Sequence, residues 1–383
     1  MKLKKHLPLI VTPYSETIVG GISSWAKNMM VYAEMDGHHD AFQIHYYANY
    51  LMAVTNTKIS ARVTTGIIVY SKLVYQTFVL ILKYKPSVVH IVSSATLGLI
   101  KDTILVSLAK LTKTPTIIHW HFGRIPELAK ANNWEWKLLK YVVRNCSISM
   151  VIDNKSYEAL LEQGFLNVVN VPNPIPPDIE QRAKAQLEQY SKPGLKRILF
   201  VGHLLREKGV FELVEACIKI PEIDELVIIG PFEEDIKNEL ITFAQQRDNG
   251  RWLKLLGQQN KDQVLKYMRE SQILTLPSYT EGFPNVVIEA MAMGCPVIAT
   301  DVGAIPDMID FGSDKPCGIC VPARNVEKLN EAILNLINDP EKAIEMGRMG
   351  IKKVLSHYTL EQVVGQYERV WSNLNHNRQF EIK

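Results

Sequence analysis

Two glutamates eight positions apart carry the strongest chemical signal in the chain. They lie in Pro277-Ser278-Tyr279-Thr280-Glu281-Gly282-Phe283-Pro284-Asn285, which continues through Val286-Val287-Ile288 to Glu289. A helix that starts near Pro284, just after Gly282, leaves its first backbone N–H groups free for an anion such as phosphate. Glu281 falls in the loop before that helix and Glu289 about a turn inside it. Carboxylates accept hydrogen bonds from hydroxyls, so the spacing suits a sugar hydroxyl at Glu281 and a ribose diol at Glu289. An acid within Val287-Ile288-Glu289-Ala290-Met291 needs a partner, because burying it bare is costly.

Three further segments offer groups of other types. Gly202-His203-Leu204-Leu205-Arg206-Glu207-Lys208-Gly209 places Lys208, Arg206 and His203 in a loop after a strand-like run, where cations neutralise a diphosphate leaving group. Gly20-Gly21 opens a helix-like segment and allows close approach of a ligand to the backbone. In Ile117-Ile118-His119-Trp120-His121 the alternation of a strand sends His119 and His121 to one face. His121 is the one read as useful to a reacting sugar, with His119 and His90 as structural candidates. No acid or cysteine accompanies them at metal-ligand spacing, so no metal site is expected.

The elements that must hold these loops alternate along the chain. Strands are predicted at Pro8–Pro13, Phe42–Tyr47, Val88–Val92, Thr116–His121, Ile148–Ile152 and Val168–Val171, with helical periods between them. After a break at Pro172-Asn173-Pro174 the alternation restarts: Arg197–Val201, Leu226–Ile229, Leu253–Leu256, Ile273–Leu276, Val297–Ala299 and Gly318–Val321. Near-continuous apolar strands between helices predict parallel sheets covered on both faces. The fold class is therefore α/β, with two doubly wound, Rossmann-like domains. The boundaries expected are 1–175, a linker at 176–195, a second domain at 196–355 and a terminal helix from 356 to 383. In such sheets ligands bind beyond the carboxyl ends of the strands, where all four segments fall.

Composition narrows the partners. Residues 1–170 hold 18 Lys and Arg against 10 Asp and Glu, whereas the rest hold 25 against 30. A basic first half invites a negative partner. The basic residues are scattered and lack an arginine-rich run, which argues against nucleic acid. Contact with an anionic membrane fits Lys2, Lys4, Lys5, Lys101, Lys110 and Lys113. The apolar stretch Ile67–Leu82 carries Ser71, Lys72 and Gln76 and is read as a buried or half-buried helix, not a span. Five cysteines, an odd number, and no secretory signal lead to an expected cytoplasmic location, with membrane association at the inner leaflet.

Together these segments resemble the group 1 family of retaining glycosyltransferases with the GT-B architecture, over nearly the whole chain. The resemblance rests on Glu281-x7-Glu289, on the following Ala290-Met291-Ala292-Met293-Gly294-Cys295-Pro296, on Gly202 with Lys208-Gly209, and on His119-x-His121-x-Gly123. It implies two domains facing a cleft and a nucleotide-sugar co-substrate with no metal or other cofactor. By the same resemblance, Glu281 contacts the donor sugar, and Gly282, Phe283, Pro284 and Asn285 bind sugar and phosphate. Glu289 holds the ribose, Lys208 the diphosphate, and His121 stands near the transferred sugar. Gly20 and Gly21 meet phosphates or acceptor, and Gly257 and Gln258 the base. The family usually has arginine after the first glycine of the phosphate loop; here it is His203, which leaves Arg206 or His203 to supply that charge. With the basic first half at an anionic membrane, the acceptor expected is a lipid-linked glycan for a surface polysaccharide; a small soluble acceptor stays open, since the family includes both kinds. Two other readings are a nucleotide-sugar epimerase on the same fold and an inactive binding subunit of a glycan assembly complex.

Overall fold

A computed structural model describes residues 4–15, 20–35, 37–48, 59–188 and 194–375. The chain forms two compact units, one of Met1–Pro174 with Leu360–Lys383 and one of Ile175–Thr359.

The first unit is built on β1 (Leu9–Tyr14), β2 (Gln43–Ala48), β3 (Val89–Ser93), β4 (Thr116–Trp120), β5 (Ile148–Val151) and β6 (Val168–Asn170). They form one parallel sheet in the order β2-β1-β3-β4-β5-β6. β3, β4 and β5 are buried at every position, as expected for central parallel strands rich in Val and Ile. Helices cover both faces. On one face Trp25, Ala26 and Met29 of the Gly21–Glu34 helix pack with Val363, Val364, Tyr367 and Trp371 of the Leu360–Asn375 helix. That last helix has the i, i+3, i+4 apolar period of a core-facing surface, and the chain reaches it after leaving the second unit at Thr359. On the other face Leu73, Ile81, Leu99, Leu105, Trp136 and Leu139 form the second core layer.

The second unit repeats the plan with β7 (Arg197–Val201), β8 (Glu225–Ile229), β9 (Leu253–Leu255), β10 (Ile273–Leu276), β11 (Val297–Thr300) and β12 (Gly318–Val321). The order is β12-β11-β10-β7-β8-β9, again parallel. Numbered from β7, this is the dinucleotide-binding order, with the strand order reversing between β7 and β10. Several of its helices start on side-chain caps. Asn260, Asn325 and Asp339 accept from the N–H of Gln263, Lys328 and Lys342 at 2.9, 2.9 and 3.0 Å.

One expectation changes. The span 176–195 contains the Pro177–Glu188 helix, whose Ile179 and Ala183 are buried within the second unit, so it is not a bare linker. The apolar stretch at Ile67–Leu82, expected as a buried or half-buried helix, is half-buried and belongs to a longer helix, Ile59–Tyr84. Leu73, Thr77 and Ile81 face the core, while Ile68, Tyr75, Val79 and Leu82 are exposed.

Candidate functional site

The reversal between β7 and β10 opens the crevice where doubly wound sheets take ligands. The loops after these two strands are 202–209 and 277–284, the segments singled out by residue type. Lys208 donates from Nζ to Oε1 of Glu281 at 2.7 Å, although the two residues lie 73 positions apart. The backbone locks the loops together as well, through Tyr279 N–H to the Glu207 carbonyl at 2.8 Å. Gly209 has φ +68°, and a Cβ there would stand 2.2 Å from the Pro277 carbonyl oxygen. Only glycine lets the β7 loop lie this close to the β10 loop. Gly303, in the loop after β11, does the same for Glu281: its φ is +55°, and a Cβ would come within 2.4 Å of the carbonyls of Glu281 and Gly282. Ala304 N–H donates to the Gly282 carbonyl at 2.8 Å.

The helix expected near Pro284 runs from Asn285 to Ala292 with Pro284 as its cap. Phe283 is buried and meets Tyr358 edge-on, with ring centroids 5.9 Å apart. Asn285 Oδ1 is buried and has no hydrogen-bond partner among the described residues. Part of the Glu289 side chain meets solvent, yet its carboxyl lies deep among protein atoms. Burial pushes it up to about 7; nearby Lys261 pulls it back and Asp178 adds to the rise. Lys261 is itself paired with Asp178 at 2.7 Å, which weakens its pull. Among the described residues no donor hydrogen-bonds the Glu289 carboxylate. Two adjacent loops and one helix thus bring together an ammonium, a carboxylate, an unpartnered amide oxygen and a second carboxylate.

The other phosphate-loop residues divide. Gly202 follows β7 directly, and its N–H bonds the Ile229 carbonyl. Arg206 points elsewhere: its guanidinium bonds both Glu239 oxygens at 2.6 and 2.5 Å and stacks 4.4 Å from the Phe211 ring centroid. It is exposed, and Glu239 is the partner of its charge in this structure. His203 is exposed. Gly257 follows β9, where its carbonyl accepts from Gly230 N–H at 2.9 Å, and Gln258 is its neighbour in the same loop.

In the first unit, β4 brings His119 and His121 to one face with ring centroids 4.1 Å apart, and His90 on β3 joins them. The donors and acceptors fix one another. Trp371 Nε1 can only donate, and it does so to His90 Nδ1 at 3.3 Å. His90 Nε2 therefore carries the proton and donates to His119 Nδ1 at 3.1 Å, which leaves the His119 proton on Nε2. Burial holds His90 and His121 down to about 3 and His119 well below its ordinary value. All three rings are neutral. Both ring nitrogens of His121, and Nε2 of His119, are buried without a hydrogen-bond partner among the described residues. Trp25, which packs edge-on to His121 at 5.2 Å, donates to Tyr367 Oη at 3.0 Å. Gly20 caps the Gly21–Glu34 helix in an extended conformation. A Cβ added at Gly20 or Gly21 would meet no atom of the described residues within 4 Å.

Sequence reasoning missed Gly303, the orphaned oxygen of Asn285 and the Trp371–His90–His119 chain. For Gly303 the only signal is a glycine shortly after a strand. For the chain there is none, because Trp371 lies 281 positions from His90. Among the described residues no group of three or more His, Cys, Asp or Glu is placed to hold a metal ion.

Residues 182–353 match the family model described as glycosyl transferases group 1. The second unit is a group 1 glycosyltransferase domain. The chain is 32% identical over 177 residues to an uncharacterized glycosyltransferase of Methanocaldococcus jannaschii, covering 46% of this chain and 48% of that one. It is 31% identical over 149 residues to the amylovoran biosynthesis glycosyltransferase AmsK of Erwinia amylovora, covering 37% and 35%. The chain thus spans about half or less of the length of these curated relatives. Among solved structures, Anabaena HepE in complex with UDP has a TM-score of 0.70 at 15% identity, covering 96% of this chain and all of that one. At that identity the likeness concerns the fold, which is the GT-B type with its two six-stranded parallel sheets.

Proposed function

We propose that the group 1 chain transfers a sugar from a nucleotide-sugar donor to a hydroxyl of a glycan acceptor, with retention of configuration and without a metal. The observation that carries this reading is the Lys208–Glu281 pair at the β7/β10 reversal, with the unpartnered Glu289 carboxyl on the helix that follows. In the absence of donor the two charges satisfy each other. A diphosphate competes for the ammonium, and its arrival frees Glu281 to accept from sugar hydroxyls while Glu289 takes the ribose diol. Transfer breaks the bond from the anomeric carbon to the diphosphate and forms one to the acceptor oxygen on the same face. The acceptor proton passes to the departing diphosphate oxygen, whose growing charge Lys208 and the helix N-terminus stabilise. We assign to His121, neutral and unpartnered, a hydrogen bond to the sugar, and to Gly20, Gly21, Gly257 and Gln258 backbone or base contacts.

The acceptor we assign is a lipid-linked glycan at the inner leaflet, serving surface polysaccharide synthesis. Support comes from the basic first unit and from a relative named for amylovoran biosynthesis. HepE was solved with UDP, so UDP-sugars are the first donors to try. The test is incubation with UDP-, GDP-, ADP- and dTDP-sugars, each with and without a glycan acceptor, followed by NMR of the anomeric proton. Acceptor-dependent release of nucleoside diphosphate, insensitive to EDTA and giving a product with the donor's anomeric configuration, is expected. An inverted product or a requirement for added magnesium contradicts the mechanism, and an isomerised donor formed without acceptor points to an epimerase instead.

A further inference from the structure

Three helices lie side by side over one face of the first sheet: Ile59–Tyr84, Gly98–Leu111 and Trp134–Asn145. Ser107 Oγ and Tyr141 Oη stand 3.1 Å apart and Lys110 Nζ donates to Asn145 Oδ1 at 2.8 Å, which ties the second helix to the third. An outer helix layer of a globular domain ordinarily turns a polar face to water. This layer sets large apolar side chains among the polar ones there. Ile68, Tyr75, Val79 and Leu82 recur along the outside of the first helix, and Leu97, Ile100, Ile104 and Leu111 along the second. Trp134 and Tyr141 are exposed on the third. Tyr75 is 70% exposed and Leu111 76%, so these are not core residues with an edge showing.

The charges on the same layer have one sign. From residue 41 to 101 the sequence contains no Asp or Glu. The three helices carry only two acids, Asp102 and Glu135, and both are buried. Asp102 pairs with buried Lys101 and accepts from Ser93 Oγ at 2.5 Å, while Glu135 accepts from Thr96 N–H at 2.8 Å. Lys101, expected to face lipid, is thus spent inside. Among the described residues the exposed charged side chains of the layer are Lys72, Lys83, Lys110, Lys137 and Arg144, all cationic. Apolar and aromatic side chains ringed by cations, with no exposed acid among them, match the interface of an anionic bilayer: acyl chains take the first and headgroup phosphates the second. Among the described residues no helix is long and apolar enough to cross a membrane.

We propose that this three-helix face of the first unit docks flat on an anionic lipid bilayer, with Ile68, Tyr75, Ile100, Ile104 and Trp134 entering the headgroup region. The proposal gives a location to the membrane-borne acceptor of the preceding reading, but its test uses neither donor nor acceptor, so either can fail alone. The full chain is sedimented with phosphatidylcholine vesicles and with vesicles containing phosphatidylglycerol, over a range of salt. Binding is expected with the anionic vesicles only, falling as salt rises. The triple variant Lys72→Glu/Lys110→Glu/Lys137→Glu should weaken it about 100-fold. A second triple, Tyr75→Ser/Ile100→Ser/Ile104→Ser, all at exposed positions, should weaken it further at high salt while leaving the circular dichroism spectrum unchanged. Equal recovery in the supernatant with both vesicle types overturns the proposal, as does wild-type binding by both folded triples. A dimer in sedimentation velocity that both triples dissociate, without vesicle binding, would overturn it too and assign the face to a second copy of the chain.

Discussion

The two units carry different electrostatics at the ends of their sheets. In the group 1 unit the crevice residues are charged and held in reserve: Lys208 occupies Glu281, and Glu289 waits with a carboxyl raised toward neutrality. At the end of β4 in the first unit, burial has stripped the charge from three histidines, and the protons of His90 and His119 are set by a one-way chain from Trp371. A charged pair can be exchanged for a charged ligand, whereas neutral imidazoles can only orient one through hydrogen bonds. The same sheet plan thus carries a charged cluster in one unit and a neutral one in the other.

The comparison breaks most severely where backbone holds the charged site together. Gly209→Ala forces a left-handed residue and a clash with the Pro277 carbonyl, so it should destabilise the second unit by ~2–4 kcal/mol. Gly20→Ala, with open space around it, should leave the melting temperature unchanged. Thermal unfolding of the two variants side by side checks the contrast, and equal melting temperatures would show that the two loops are not clamped at Gly209.

A sharper comparison uses pH. The Glu289 carboxyl is raised in the folded chain, so folding carries a cost that is absent below the unfolded value near 4.5 and complete above the folded value near 7. Glu289→Gln should therefore be more stable than wild type at pH 8 by ~1–3 kcal/mol and should lose that advantage by about pH 4.5. Affinity for the nucleoside, which carries no phosphate of its own to titrate, should rise through about pH 7 in wild type, as the carboxylate becomes the better acceptor for a diol, and stay flat in the variant. His121, already neutral, should add no titration between about pH 5 and 8. Denaturant unfolding and calorimetry across that range test both statements.

The smallest effect is expected at Arg206. Its guanidinium is committed to Glu239 and Phe211 at the surface, so Arg206→Ala should change turnover by less than about threefold, the scale of an exposed pair. A loss of about a hundredfold, the scale of a lost phosphate contact, would return Arg206 to the phosphate site.

Much of this is legible in the sequence because strands announce themselves locally. Apolar runs and breakers alone bound Arg197–Val201, Ile273–Leu276 and Gly318–Val321 correctly, and their parallel pairing follows from the helices between them. Residue types point to Lys208 and Glu281, but not to their contact, since 73 residues separate them and only the strand order joins their loops. Lys101 misleads for a related reason. A lysine is ordinarily exposed, and only the buried neighbour Asp102 and a ring of apolar side chains reverse that. Half-burial of Ile67–Leu82 is legible, but which of its apolar side chains stay outside is not, because Ile68, Tyr75, Val79 and Leu82 are of the same type as Leu73 and Ile81 inside.

The claim that Lys208 is kept for a diphosphate and shielded by Glu281 is tested most directly by calorimetric titration of UDP. Wild type, Lys208→Met and Glu281→Gln should be compared at low salt and fixed pH. Loss of the ammonium should weaken UDP about 10- to 100-fold, the scale of a charge-assisted contact to phosphate. Loss of the competing carboxylate should tighten it about 10-fold while sugar transfer collapses, because the same change that frees Lys208 removes the group that holds the sugar. Equal UDP affinity in all three proteins would contradict the account.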